Sequence, residues 1–271
     1  MLLTPIVIIF LACLLLGAVV GFLAGLLGIG GGVLIVPILS AILYKLNIVA
    51  EQPAFLIAVA TSLSSIIFTS FSSALSHHRY HKIDWSLAGW ATVGVAFGAA
   101  VSSLFSGMIK IEVLKTLFAI TMTFVAVRMA FSAGITSGHP QPRVNKLVLV
   151  PLTSLIGGLS SLIGIGGGAL IIPLMGFFKV DIRKSIGIAA VAATCVASVA
   201  SVGYIWVGRT HYQLADGFLG YIYLPALIGL IITSSAFAPL GAKIAQRVPV
   251  KMLKRLFAAF IALIVIKMVF L

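Results

Sequence analysis

The chain has little charge and almost no acid. Of its 271 residues, 8% are Asp, Glu, Lys or Arg, and only five are acidic. Glu51, Asp84, Glu112, Asp181 and Asp216 all stand at the ends of apolar runs or in loops. Cation-coupled carriers and proton pumps commonly keep a carboxylate inside the bilayer, where desolvation makes it costly and marks it as functional. None lies in mid-run here, so a site within this chain must use backbone amides, hydroxyls and helix ends. Cysteine is equally scarce. Cys13 and Cys195 both sit in apolar runs without Cys-x-x-Cys spacing, which argues against a disulfide framework and against zinc. No serine has a histidine and an acid placed to complete a hydrolase triad, so the chain is not read as an enzyme and no cofactor is expected. His77, His78 and His81 follow an apolar run into a short basic loop. No cysteine or carboxylate cluster accompanies them, so they make a weak metal candidate.

Apolar residues are abundant instead, at 61%, with a mean hydropathy of +1.24. The net charge of +13 is spread over short loops, as in the positive-inside pattern of membrane proteins. No soluble basic domain is left to bind nucleic acid. Six runs are long enough to cross a hydrocarbon layer of about 30 Å: Ala54 to Ser76, Trp85 to Ser106, Val113 to Ala133, Ser185 to Val207, Phe218 to Ala238 and Met252 to Leu271. Leu2 to Tyr44 and Leu147 to Phe178 are too long for one crossing, since as helices they would reach roughly 65 and 48 Å. The opening residues resemble a signal peptide's apolar core. However, no basic residue precedes them and their continuation recurs at Leu147, so they are expected to stay in the mature chain. Trp85, Trp90, Trp206 and Tyr204 gather near proposed span ends, where interfacial aromatic belts account for them.

The two overlong runs share a motif. Gly-Ile-Gly-Gly-Gly occurs at Gly28 to Gly32 and again at Gly164 to Gly168, and Pro37 and Pro173 close the two segments at the same offset of 136. Glycine in a helix interior costs about 1 kcal/mol relative to alanine. Three in a row therefore interrupt a helix inside the membrane, and a matched pair of such breaks is a pointer to a transporter's binding site. The duplication continues in Val59-Ala-Thr-Ser against Ala192-Ala-Thr-Cys, and in Val113-Leu-Lys-Thr-Leu-Phe-Ala against Met252-Leu-Lys-Arg-Leu-Phe-Ala. The expected fold is an all-α polytopic membrane protein of two homologous halves, residues 1–134 and 147–271, joined by a linker at 135–146. Each half is a glycine-broken hairpin followed by three transmembrane helices. If each hairpin returns to its own side, Lys45, Lys110, Lys115, Arg209 and Lys267 face one way and the other 13 of the 18 basic residues face the other. If each broken segment crosses once, the division is 11 to 7. The sharper bias favours returning hairpins and an inverted repeat.

A helix that restarts after a break points unpaired N–H groups and about half a positive charge at whatever precedes it, which is how helix N-termini hold phosphate and sulfate. Gly30, Gly31 and Gly32, with Gly166, Gly167 and Gly168, are the expected amide donors of a small-anion site. Thr61, Ser62 and Ser65 on the following span of one half, and Thr194, Cys195 and Ser198 on that of the other, are the expected side-chain contacts. Two plainer readings compete. Small residues let membrane helices pack closely, and serines often bond back to their own helix.

The doubled Gly-x-Gly-Gly-Gly-x-x-x-x-Pro motif, Gly28 to Pro37 and Gly164 to Pro173, resembles that of the TauE/SafE family, and the resemblance extends over the whole chain. It implies a secondary transporter in the bacterial inner membrane that moves sulfite or an organosulfonate. A passive anion channel and a non-transporting membrane component are the alternatives. The expected partners are a small anionic substrate and the lipid bilayer, with proton coupling and a homo-oligomer left open. The charge division predicts that, in a cysteine-free background, a cysteine replacing Lys110 is labelled by impermeant maleimide on intact cells. One replacing Lys184 is labelled only after permeabilisation.

Overall fold

A computed structural model describes residues 3–27, 31–79, 83–131 and 144–245. Nine α-helices occupy them. They are α1 (Leu3–Leu27), α2 (Gly32–Lys45), α3 (Glu51–Arg79), α4 (Trp85–Phe105), α5 (Ile111–Phe131), α6 (Lys146–Ile163), α7 (Gly168–Phe177), α8 (Ile182–Gly208) and α9 (Leu224–Ala245). Six helices are long and apolar enough to span a membrane, while the two that follow the glycine runs, α2 and α7, are shorter. The expected last span, Met252 to Leu271, and most of the expected linker lie outside the described residues, as does Gly30.

The centre of the bundle is α3. Every residue from Ala54 to Ile66 is buried, so this stretch has no lipid face. A helix that is apolar and covered on all sides needs neighbours all round, and α2, α8 and α9 supply them. By contrast, α1 turns Val7, Ile8, Leu11, Leu15 and Val19 outward along one stripe, as a peripheral membrane helix does.

Small residues carry the long-range packing. Gly17, Gly21 and Gly25 of α1 meet Leu230, Ser234 and Ala238 of α9 in ascending order, so the two helices run parallel. Gly94 and Gly98 of α4 meet Thr153 and Ser154 of α6 in the same sense. Each half therefore lays its first helix against the third long helix of the other half. The backbones touch, because a methyl group on Gly25 or Gly98 would collide with the carbonyl of Ala238 or Ser154.

Helix directions follow from further contacts. On α8, Cys195 reaches Thr92 and Gly203 lies on Ser103, so α8 runs alongside α4 in the same direction. Gly107, just after α4, touches Val207 near the end of α8, which brings the Lys110 and Arg209 ends together. An ion pair between Lys115 and Glu51 adds the start of α3 to that same end. Along α3 the order reverses. Ser64 meets Ser201, whereas Ile66, further on, lies by Gly166, whose neighbour Gly167 faces the earlier residue Val196.

One boundary departs from the sequence reading. The run expected to begin as helix at Phe218 opens as a tight hairpin, Phe218–Leu219 paired antiparallel with Ile222–Tyr223, and α9 starts only at Leu224. Gly220, at φ +60°, turns the chain in a conformation that other residues rarely adopt. Pro225 sits in the first helical turn, where a missing N–H removes no bond. Hydropathy cannot register this turn because its residues are as apolar as the helix that follows.

Gly98→Ala is expected to lower the unfolding temperature in detergent by several degrees, since overpacking at a backbone contact costs about 1–3 kcal/mol. Gly89, on the same helix, has nothing within 4 Å of an added methyl group. Gly89→Ala is expected to leave thermal unfolding unchanged or raise it.

Candidate functional site

A left-handed glycine precedes each short helix. Gly31, the residue before α2, stands at φ +72° and packs back on Val20, a residue well inside α1. Gly167, the residue before α7, stands at φ +80° and faces Ser160 of α6. The two halves thus repeat a left-handed glycine at the same point of the motif. A side chain there would be strained regardless of space. Neither short helix has a side-chain cap on its first turn.

The breaks converge on the middle of α3. Ser62 is buried, about 17 Å along α3 from Glu51 and about 26 Å from Arg79 at the usual helical rise. Its hydroxyl donates a 2.9 Å hydrogen bond to the carbonyl of Gly164, the residue that ends α6. That carbonyl also lies against Gly32, where α2 begins, and a methyl group on Gly32 would strike it. One turn along α3, Ile66 packs on both Gly32 and Gly166. A serine from one half therefore ties the break of the other half to its own. Val196, which faces Gly167, lies near the middle of α8, so the second break also sits at mid-helix depth.

The remaining expected residues divide. Thr61 is buried beside Ser62, but its oxygen accepts a 3.0 Å bond from the Tyr223 amide of the hairpin. Ser65 donates back to Ser62 O in its own helix, Thr194 to Ala190 O and Ser198 to Thr194 O. These bonds are local and leave each hydroxyl oxygen free to accept but its proton engaged. Cys195, half-buried, points its thiol at the Thr92 carbonyl 3.9 Å away. The structure thus joins Ser62, Gly32, Gly164 and Gly166 in one cluster. It sets Gly167 and Gly168 beside α8, and it places Thr61 under the hairpin.

Sequence reasoning missed that hairpin cover. Tyr204 is fully buried on α8 and donates to the Ser161 carbonyl at 3.0 Å. Tyr221 meets its ring edge-on, and Tyr212, Phe218 and Tyr223 continue the cluster from Tyr221, with Tyr212 and Tyr223 each 4.8 Å from Phe218 between ring centres. Burial raises the Tyr221 hydroxyl above its ordinary pKa, and burial followed by the neighbouring Tyr221 does the same for Tyr212, so both stay neutral at physiological pH. The only sequence signal was the density of aromatics between Tyr204 and Tyr223, which an interfacial belt explained equally well. Outside this cluster, Glu51, Glu112, Lys115 and Ile111 line a small surface depression of charged residues far from the breaks.

Mid-depth breaks in a polytopic helical bundle, matched between two halves and free of intramembrane acids, are features of the membrane transporter class. Comparison with known proteins agrees. Residues 13–268 match the family described as Sulfite exporter TauE/SafE. A "Probable membrane transporter protein" of Haemophilus influenzae is 35% identical over 265 residues, covering 95% of this chain and 97% of the relative. A second probable membrane transporter protein, from Methanocaldococcus jannaschii, is 30% identical over 247 residues, 89% of this chain and 88% of its own length. An Arabidopsis thaliana "Sulfite exporter TauE/SafE family protein 1" is 35% identical over 107 residues, 36% of this chain and 22% of that protein. No solved structure matches. The chain belongs to the TauE/SafE family of multi-pass membrane proteins.

Ser62→Ala is expected to lower stability by about 1–3 kcal/mol, the usual effect of leaving a buried carbonyl unpaired. Ser65→Ala removes only a bond within one helix and is expected to cost less than half as much. Thermal unfolding of the two variants in one detergent compares them directly.

Proposed function

We propose that the protein is a secondary transporter that moves a small oxyanion, sulfite or an organosulfonate, by alternating access of two inverted repeats. The observation that carries this reading is the meeting of both chain breaks at buried Ser62, in a region whose polar groups are amides and hydroxyls. Helix N-termini favour anions, and no described carboxylate lies in that region to repel one. Gly30, Gly31 and Gly32 with Gly166, Gly167 and Gly168 are the proposed amide sources, while Thr61, Ser62, Ser65, Thr194, Cys195 and Ser198 line the approach. The inverted arrangement draws support from the directions of the helices. In sequence α8 is the counterpart of α3, yet it runs with α4 and against α3. Membership of the sulfite exporter family, shared with the Arabidopsis relative, supports a sulfur-containing substrate. The halves, residues 1–134 and 147–271, are proposed to rock against each other about the Ser62 contact.

Purified protein in liposomes is expected to take up labelled sulfite or a short sulfonate with saturable kinetics. Counterflow is expected when the lumen is preloaded, which a passive channel does not give. Gly167→Leu and Gly31→Leu are expected to abolish flux while the proteins still insert. Retained flux in both variants would overturn the proposed site.

A further inference from the structure

The two breaks are alike in backbone but not in surroundings. At the first, the chain fills its own cradle. Gly32 is pressed against the Gly164 carbonyl, and a methyl group on Gly31 would collide with the Val20 side chain. The positive end of α2 thus already faces a protein oxygen, a partial negative charge supplied from within.

The second break is packed less tightly. An atom placed where a side chain would leave Gly167 meets nothing nearer than 3.5 Å, with Ser160 Oγ and Val196 Cγ2 both at that distance and Ile171 Cδ1 at 3.8 Å. The Leu170 and Ile171 amides both turn back to Gly167 O, so the Gly168 and Ala169 amides remain the orphan donors of the first turn. Facing Gly167 stands a hydroxyl without a partner. Ser160 is fully buried, and its Oγ has no hydrogen-bond partner among the described residues, whereas Ser161, its neighbour, donates to Gly158 O. A buried polar group left unpaired is destabilising by about 1–3 kcal/mol, and such a group calls for an explanation; Thr92 and Ser234 also carry an unpaired buried hydroxyl, but neither lies at a chain break. The repeat sharpens the point, because at the constant offset the first half carries Ala24 where the second carries Ser160.

We infer that Ser160 takes part in holding the oxyanion at the second break, one of its oxygens accepting from Ser160 Oγ–H and the amides of Gly168 and Ala169, and that Ser160 is a side chain that sets affinity. This rests on the transport reading above and deepens it. The ligand class is a small oxyanion such as sulfite or a short sulfonate.

The test uses the full chain in proteoliposomes with labelled sulfite, and in detergent with sulfite-dependent thermal shift. Ser160→Ala is expected to raise KM roughly ten- to a hundredfold with the maximal rate within about twofold, as loss of one hydrogen bond to a charged ligand does. The same variant is expected to lose the sulfite-induced thermal shift while unfolding, without sulfite, at or above the wild-type temperature. Ser161→Ala is expected to match wild type in every readout. An unchanged KM and thermal shift in Ser160→Ala, beside an active wild type, overturns the role of Ser160 and leaves the transport reading standing. A wild type that neither binds nor moves sulfite or methanesulfonate removes both.

Discussion

The hydrogen bond from the Ser62 hydroxyl to the Gly164 carbonyl joins the end of one half's broken segment to the central helix of the other. Ending a helix inside a membrane leaves carbonyls with no water to donate to them, and each unsatisfied group is costly in hydrocarbon. The chain answers by ending α6 where a serine of the opposite half can reach it. That solution fixes much else. The backbone at Gly32 must approach the same carbonyl, so no side chain is tolerated there, and α3 must be buried throughout the stretch that presents Ser62. Burial of α3 in turn pushes α1, α4 and α9 to positions where apolar side chains face outward.

The fold's class was written in composition. Long apolar runs, acids only at their ends and a doubled glycine motif lead to a polytopic helical bundle with two broken segments, and the helices from α3 to α8 fall close to where hydropathy places them. The Phe218 hairpin was not legible, because in a protein apolar throughout, hydropathy carries no information about where helix gives way to turn. What distinguishes those residues is the glycine at 220 and the proline at 225, which speak of backbone conformation rather than polarity.

The candidate site was legible at its backbone and less so at its side chains. Three adjacent glycines announce a break wherever they stand in a membrane segment, so Gly31, Gly32 and Gly166 to Gly168 could be found by motif alone. The hydroxyls could not be sorted that way. Thr61, Ser62 and Ser65 look equivalent in sequence, yet one accepts from a hairpin amide, one bridges the halves and one bonds its own helix. Helical position relative to a partner from the other half decides among them, and that information is tertiary. Ser160 illustrates the converse. Comparing the repeats at their fixed offset sets it opposite Ala24, a contrast that acquires meaning only once its hydroxyl is seen to be buried and unpaired.

The exchanged glycine ladders bear on how the molecule is made. Gly17 finds its partner at Thr233, more than two hundred residues later in the chain. At the usual pace of synthesis, about 5–20 residues per second, α1 waits roughly 10 to 40 s in the bilayer before α9 exists. Throughout that interval its row of small residues is a sticky surface without a mate, open to capture by any passing helix of suitable shape. Assembly of this bundle is thus governed by non-local closure, and its slowest, most error-prone moment falls after the second half has emerged.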